Sequence, residues 1–342
     1  MSDLSEATRE LFVRSLKNEV WQKMPFYEEL ERRNKITFRG GKYIERLVIK
    51  DEMDDLAQAY TINEALTDEA KDMLDKPRFL WKKLQLPLRY SGDVEIQNVH
   101  AGNEEQLTDL VRLLTTQGQR GIRIKMMKNL FNAGSTTGRS DSGKEFQSLV
   151  SALDHDVTYG NLARSFSSDT RDWWQGADPS ALNINVTSSS QGTATNLTIS
   201  NIRKWISESD VAQYMEQKSD LTILMCATLF NKLRAEMESK AIYKGEVGDT
   251  MKQGFTKMIL DGYNVIDVPY LQTTSTMRTW VFVLNMNDFE LRISTERNFE
   301  MTDFEWQGKY TNGFDYYLAR ILAAGNLVCW KPRGSMWLSN VS

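Results

Sequence analysis

Between Asn103 and Asn132 the chain contains no proline, and Leu107, Leu110, Val111, Leu114, Ile122, Met126 and Leu130 fall at three- and four-residue steps or their multiples. That period gives a helix one apolar stripe. At 1.5 Å per residue a helix of this length reaches about 45 Å, more than a globular domain usually asks of one helix. The segment therefore reads as a backbone strut, with the flanking segments extending from it. Gly118 and Gly121 interrupt its middle, where each costs about 1 kcal/mol relative to alanine and marks a place for the strut to bend. The plainer alternative is a long core helix that tolerates two glycines.

The chain as a whole, 342 residues long, has enough apolar sequence, 41% against 26% charged, to bury a core as two domains or one elaborate one. No apolar run has the length of a membrane span, and the first thirty or so residues lack the apolar core and small-residue site of a signal peptide. A soluble, cytoplasmic protein without membrane contact is expected. Cys226 and Cys329 both lie inside apolar segments, so buried reduced thiols are favoured over a disulfide. A net charge of −4 argues against a protein that binds by neutralising phosphates, so any nucleic acid it meets is enclosed, not gripped. Asn185, Asn196 and Asn340 begin glycosylation-type triplets but read as ordinary polar sequence.

Residues 5–24 form an amphipathic pattern through Leu11, Leu16, Val20, Trp21 and Met24 that is expected to stop near Pro25. Its apolar face needs another subunit or the strut to cover it. After Gly40-Gly41, the run Tyr43, Ile44, Leu47, Val48, Ile49 reads as strand, followed by the acidic turn Asp51, Glu52, Asp54, Asp55. A helical interlude, 65–74, precedes Pro77. From Phe79 to Val99 the chain returns as strand, with Leu84, Leu86, Leu88 and Tyr90 alternating with polar residues. A hairpin that long is marginal in water unless a neighbour covers it.

Beyond the strut, Gly138 to Glu145 nearly spells a phosphate-binding loop. It has Glu145 where a hydroxyl is required and no strand before it, so a connector is the better reading. Trp173 and Trp174 suggest sugar stacking, although large aromatics more commonly plug a subunit contact or cap a core. Asp220 to Cys226 reads as a buried strand and Phe230 to Lys240 as the helix after it. Short strands over 254–260, 263–268 and 280–284, and extended segments over 291–306 and 316–330, complete an α+β body.

His100 and His155 are the only histidines, and neither sits in a motif that would support a zinc site, a nucleophilic triad or a histidine acid–base pair. No catalytic residue, cofactor site or metal site is expected.

Several local patterns accumulate in order: Thr158-Tyr159-Gly160 with Arg164, Gly254-Phe255, Gly262-Tyr263, Leu284-Asn285, and Gly325-Asn326-Leu327-Val328 with Pro332-Arg333. With the succession of arm, hairpin, strut and α+β body, they make the whole chain resemble the Hong Kong 97-type major capsid protein of tailed bacteriophages, a fold also used by encapsulin shells and herpesvirus floors. The resemblance implies an N-terminal arm (1–37), an extended β-hairpin loop or E-loop (38–98), a peripheral domain (99–149 with 289–342) built on the spine helix 103–132, and an axial domain (150–288).

It further implies a structural protein that forms hexamers and pentamers of itself in an icosahedral virion shell, assembled in the host bacterial cytoplasm around double-stranded DNA without sequence-specific binding. Because the sequence starts at the arm, a separate scaffolding protein or unaided assembly is expected, along with a portal and a decoration protein as further partners. Trp21, Leu86, Leu88, Tyr90, Trp173 and Trp174 are the expected contacts between subunits, and Gly118 and Gly121 the bend of the spine. An encapsulin-type cellular shell, or a carbohydrate-binding or carbohydrate-active protein using Trp173 and Trp174, are the alternatives.

Overall fold

A computed structural model describes residues 24–50, 59, 60, 62, 72–93, 104–132, 144–155, 158–164, 173–177, 196–239, 257–273, 275–307, 315–339, 341 and 342. The first half of the chain carries α1 (Pro25–Arg32), β1 (Ile36–Phe38), β2 (Ile44–Glu45), β3 (Val48–Ile49), β4 (Leu74–Asp75), β5 (Arg78–Phe79), β6 (Lys82–Ser91), α2 (Glu104–Asn132) and α3 (Leu149–Leu153). The second half carries α4 (Ile199–Ser207), β7 (Leu221–Met225), α5 (Ala227–Ser239), β8 (Lys257–Leu260), β9 (Tyr263–Asp267), β10 (Val281–Asn285), β11 (Phe289–Ile293), β12 (Glu300–Met301), β13 (Glu305–Trp306), β14 (Tyr316–Cys329) and β15 (Met336–Leu338). Two compact units result, one from residues 1–42, 81–150 and 289–328, the other from 43–80, 151–288 and 329–342.

In the first unit β14 is the centre of a six-stranded sheet. β6 pairs with it antiparallel from Tyr316↔Ser91 to Gly325↔Lys82, β12 and β13 also pair with it, and β11 links it to β1, which runs parallel to β11. The register places Leu86 opposite Ile321 and Leu88 opposite Ala319, so one face of β6 and β14 is apolar. Against that face lies α2, 29 residues long, as the apolar period requires.

Its buried positions recur at helical spacing: Thr115, Gln119, Ile122, Met126 and Leu130. Val111 and Leu114 are half-buried, and the side chains of Leu107 and Leu110 lie outside the described residues. Thr115 is tolerated in the interior because its hydroxyl donates back to the Val111 carbonyl at 2.8 Å. Gly118 is explained by packing: a Cβ there would lie 2.8 Å from Leu88 Cδ2, whereas one at Gly121 would meet Leu86 Cδ2 at an ordinary 3.8 Å. The first glycine lets helix and strand approach; the second is sterically free to be something larger.

Pro25 begins a helix, because at N1 it needs no hydrogen-bond partner and its φ is already helical; the helix expected before it lies, except for Met24, outside the described residues. α1 then buries Phe26 against Phe289, ring centroids 5.9 Å apart, and Glu29, whose carboxylate accepts from Arg32 and Arg33. One expectation changes in the hairpin: its returning strand, β6 with Leu86, Leu88 and Tyr90, pairs with β14, and among the described residues of 40–98 the hairpin pairs are β2–β5 and β3–β4. Ten ladder positions with β14 outweigh what a free two-stranded ribbon offers. The N-terminal segment 5–23, the acidic turn, the helical interlude except for residues 72–74, and residues 138–143 of the glycine-rich loop lie outside the described residues.

In the second unit a five-stranded mixed sheet runs β15-β10-β7-β9-β8, with β7 and β9 parallel and the other neighbours antiparallel. Every residue of β7 and β10 is buried, in line with their largely apolar sequences, with Thr222 and Asn285 as the polar members. α4 starts where the Thr198 hydroxyl oxygen accepts from the Asn201 N–H at 3.1 Å, and it buries Ile202, Trp205 and Ile206. Trp337 stacks on Phe282 at 6.1 Å with rings 9° from parallel.

These packing distances set opposite outcomes for the two glycines of α2. Gly118→Leu overfills the helix–strand contact and should cost about 1–3 kcal/mol, whereas Gly121→Ala should gain about 1 kcal/mol from helix propensity. Denaturant unfolding of the two variants measures both.

Candidate assembly surface

The hairpin of β2–β5 and β3–β4 belongs to the second unit and consists of two-residue ladders, Ile44↔Phe79 with Glu45↔Arg78 and Val48↔Asp75 with Ile49↔Leu74. Its two sides differ. Ile44 and Phe79 are buried, at 0% and 1% exposure, and anchor its base. Beyond the base, apolar side chains face solvent: Leu47 is 60% exposed, Ile49 67%, Leu74 47%, and Ile62 93%. Of the twelve large hydrophobic side chains exposed among the described residues, seven lie between Tyr43 and Leu80. Such concentration within one hairpin segment is unusual for a chain that works alone, since isolated exposed apolar residues are normal but clusters mark interaction surfaces.

Charged residues staple the ribbon. Lys76 Nζ reaches Glu45 at 2.6 Å, Arg78 Nε reaches the other oxygen of Glu45 at 3.3 Å, and Lys50 Nζ reaches Asp72 at 2.7 Å. The hydrogen bond from Lys76 holds the Glu45 carboxyl below its ordinary range, and Lys50 does the same for Asp72. Both pairs are solvent-exposed, so they select the register more than they add stability.

The base of the hairpin is held by a buried aromatic cluster. Phe79 packs edge-on against Tyr159 at 4.8 Å and Trp330 at 5.9 Å, and Trp174 lies 5.7 Å from Tyr159. The Trp174 indole N–H donates to the Tyr159 carbonyl at 2.9 Å, and the Tyr159 hydroxyl accepts from the Cys329 N–H at 2.8 Å. Arg164 lies over the Tyr159 ring, 4.6 Å from its centroid, and donates to the carbonyls of Ser151, Ala152 and Asp154 near the end of α3. These are carbonyls a helix end leaves without partners, and a buried guanidinium satisfies three at once.

Gly160, at φ +60°, turns the chain beneath Phe79 and accepts the Arg78 N–H at 2.9 Å. A Cβ at this position would sit 2.8 Å from Phe79 Cζ. The Thr158-Tyr159-Gly160 and Arg164 pattern is thus the socket of the hairpin. The sequence did not single out Phe79 as the plug, although its place after Pro77 in an apolar strand was the available signal.

The expected contact residues are dispersed. Trp174 is fully buried and Leu88 5% exposed, so both are used inside their own chain, where the cluster and α2 cover them. Trp173, 5.3 Å from Trp174, and Leu86 and Tyr90 are half-buried, with Tyr90 stacked on Tyr317 at 5.0 Å; Trp21 lies outside the described residues.

Cys226 and Cys329 are buried free thiols, and burial pushes the Cys329 thiol well above its ordinary value. Among the described residues no group of three or more His, Cys, Asp or Glu is placed to hold a metal ion, and no helix is long and apolar enough to cross a membrane. Of the other family-like patterns, Asn326 Oδ1 accepts the Gln147 N–H, the Asn285 N–H donates to Ser335 Oγ, Arg333 pairs with Asp210, and Asp261-Gly262 forms the β8–β9 turn at positive φ. Gly254-Phe255 lies outside the described residues.

No protein-family model and no curated protein matches this sequence. The backbone is nevertheless similar to that of shell subunits. The cyanophage A-1(L) capsid matches at TM-score 0.59 and 12% identity over 90% of this chain and 90% of that one. The holo-SrpI encapsulin of Synechococcus elongatus matches at 0.52 and 10% over 93% and 88%, and the native GTA particle capsid at 0.51 and 11% over 92% and 90%. The fold is therefore the α+β Hong Kong 97-type capsid architecture, as expected.

Two measurements follow from the hairpin and its socket. Gly160→Ala should destabilise the second unit by about 1–2 kcal/mol from backbone strain alone, with more from the clash against Phe79, read as a lowered melting temperature. Because Glu45 is depressed, its contribution is present above the ordinary carboxylate value and lost as pH falls through the depressed one. In Lys76→Ala the Glu45 titration, followed by carboxyl NMR, should move up toward the ordinary value.

Proposed function

We propose that this chain is the major capsid protein of a tailed double-stranded DNA bacteriophage, a structural subunit whose copies close into an icosahedral head around the genome. The observation that carries this reading is the solvent-exposed apolar hairpin, rigidly socketed at its base. A two-stranded ribbon of this size has little stability of its own, and its exposed leucines and isoleucines gain about 25 cal/mol for each Å² they bury on a neighbour.

Repeated heterologous contact of one such element with the next copy generates a closed ring when the rotation closes, and rings of six and five build a shell. The capsid-type backbone supports the same reading. In it, residues 99–149 with 289–342 act as the peripheral domain, 150–288 as the axial domain, and Gly118 and Gly121 as the place where the spine adjusts between precursor and mature shells. Leu86, Tyr90, Trp173 and Trp21 are further candidates for contact between subunits. Scaffolding, portal and decoration proteins are the partners such a head requires. Enclosed DNA is held by counterions and confinement, consistent with the acidic chain.

An encapsulin-type shell shares the backbone, as the SrpI likeness indicates, and differs by what it encloses. Purified protein should elute in the megadalton range and show closed particles by negative-stain microscopy, and a compact monomer at every concentration would refute assembly. Nuclease-resistant DNA in particles from the native source separates a phage head from a cargo shell. Replacing residues 51–71 with a short glycine–serine turn should abolish particles while the melting temperature of the body is retained, because both ladders and the Phe79 plug remain.

A further inference from the structure

β6 is ten residues long, and among the described residues β14 is its one strand partner. The other sheet edges described run two to four residues. A free edge as long as that of β6 presents a row of backbone donors and acceptors to which another chain can add a strand. Hydrogen bonds on the far side of β14 fix which groups of β6 face that edge. The Arg320 N–H donates to Thr302 Oγ1 at 2.8 Å, and the Arg320 carbonyl accepts from the Thr302 N–H at 2.9 Å. The Tyr316 carbonyl accepts from the Gln307 N–H at 2.9 Å and the Ala324 carbonyl from the Ser294 N–H at 2.8 Å. Even-numbered residues of β14 therefore bond away from β6. Residues opposite each other in an antiparallel pair face together or away together. Through Arg320↔Pro87 and Leu318↔Arg89, the odd-numbered residues of β6 bond away from β14.

The open edge offers the backbone of Lys83, Gln85, Pro87, Arg89 and Ser91, and its central position has no N–H. Pro87 removes no bond from the ladder with β14, and it is the one proline inside a described strand. The strand best matched to this edge is the β6 of a second copy, whose outward positions repeat the same row in reverse. Centred antiparallel pairing sets Pro87 against Pro87, Gln85 against Arg89 and Lys83 against Ser91, so both central hydrogen bonds are missing. The strand also carries Lys82, Lys83 and Arg89 and no carboxylate, so two copies oppose like charges. We propose that Pro87 guards the open edge of β6 against antiparallel addition of the same strand from a second copy of this chain. The guard acts on the free chain and does not depend on closure into a shell.

Moving the proline along the strand of the full chain tests this guard. Pro87→Val supplies the missing N–H at an outward position and favours a strand. The self-association constant of the unassembled fraction, from sedimentation velocity, should rise by about tenfold or more as two hydrogen bonds are restored. Hydrogen exchange should show the amides of Lys83, Gln85 and Arg89 gaining protection as concentration rises. Adding Gln85→Pro to the same chain removes a neighbouring outward donor without touching the β14 ladder, so association should return to the parent level at a similar melting temperature. Leu86→Pro removes a ladder bond instead and should lower the melting temperature. Pro87→Ala supplies the same N–H and reads the same contact if valine disturbs folding. Unchanged association in a folded Pro87→Val or Pro87→Ala chain overturns the guard, as does association that survives Gln85→Pro. Parent amides at Lys83, Gln85 and Arg89 that are already protected, at every concentration or increasingly with it, would show the edge occupied and overturn it as well.

Discussion

A ring of Phe79 set between Tyr159 and Trp330 governs what the rest of this molecule can do. The hairpin it terminates has two residue pairs in each ladder, and beyond the buried Ile44 and Phe79 its Leu47, Ile49 and Leu74 are exposed. Unsocketed, such a ribbon would sample many directions and lose conformational entropy on every encounter with a neighbour. The buried plug, the Arg78 hydrogen bond to Gly160 and the ion pairs of Glu45 fix its base beforehand. Each aromatic pair in the socket is worth about 0.5–1.5 kcal/mol beyond its buried area.

The same economy explains Arg164. Its guanidinium donates to backbone carbonyls and lies over the faces of Tyr159 and Trp174, where dipoles and ring quadrupoles stabilise a cation. One side chain thereby joins the end of α3 to the aromatic cluster. The tandem tryptophans acquire a structural meaning here. Trp174 is consumed by the socket and Trp173 covers it, so their adjacency serves packing.

The spine helix shows a different balance. Its length and lack of proline were legible, as was the stripe through Ile122, Met126 and Leu130. What periodicity could not distinguish was a glycine that lets a strand approach from one that merely interrupts. Gly118 is set against Leu88 and Gly121 is not, and that difference depends on which strand the fold brings there. Leu86, Leu88 and Tyr90 were legible as an alternating strand, yet their partner was not. Alternation states that one face is apolar and leaves open which of several apolar surfaces will cover it.

By itself the sequence determined the local terms: the long helix, the buried strand β7, the short strand β10, and the order of elements that resembles shell folds. Those follow from period, propensity and turn chemistry, all of which act over a few residues. Only the tertiary structure decided that β6 joins β14 and that Phe79, Tyr159, Gly160, Trp174 and Trp330 meet. Those outcomes depend on contacts between residues tens to hundreds of positions apart, where many pairings satisfy the local pattern and close packing selects one.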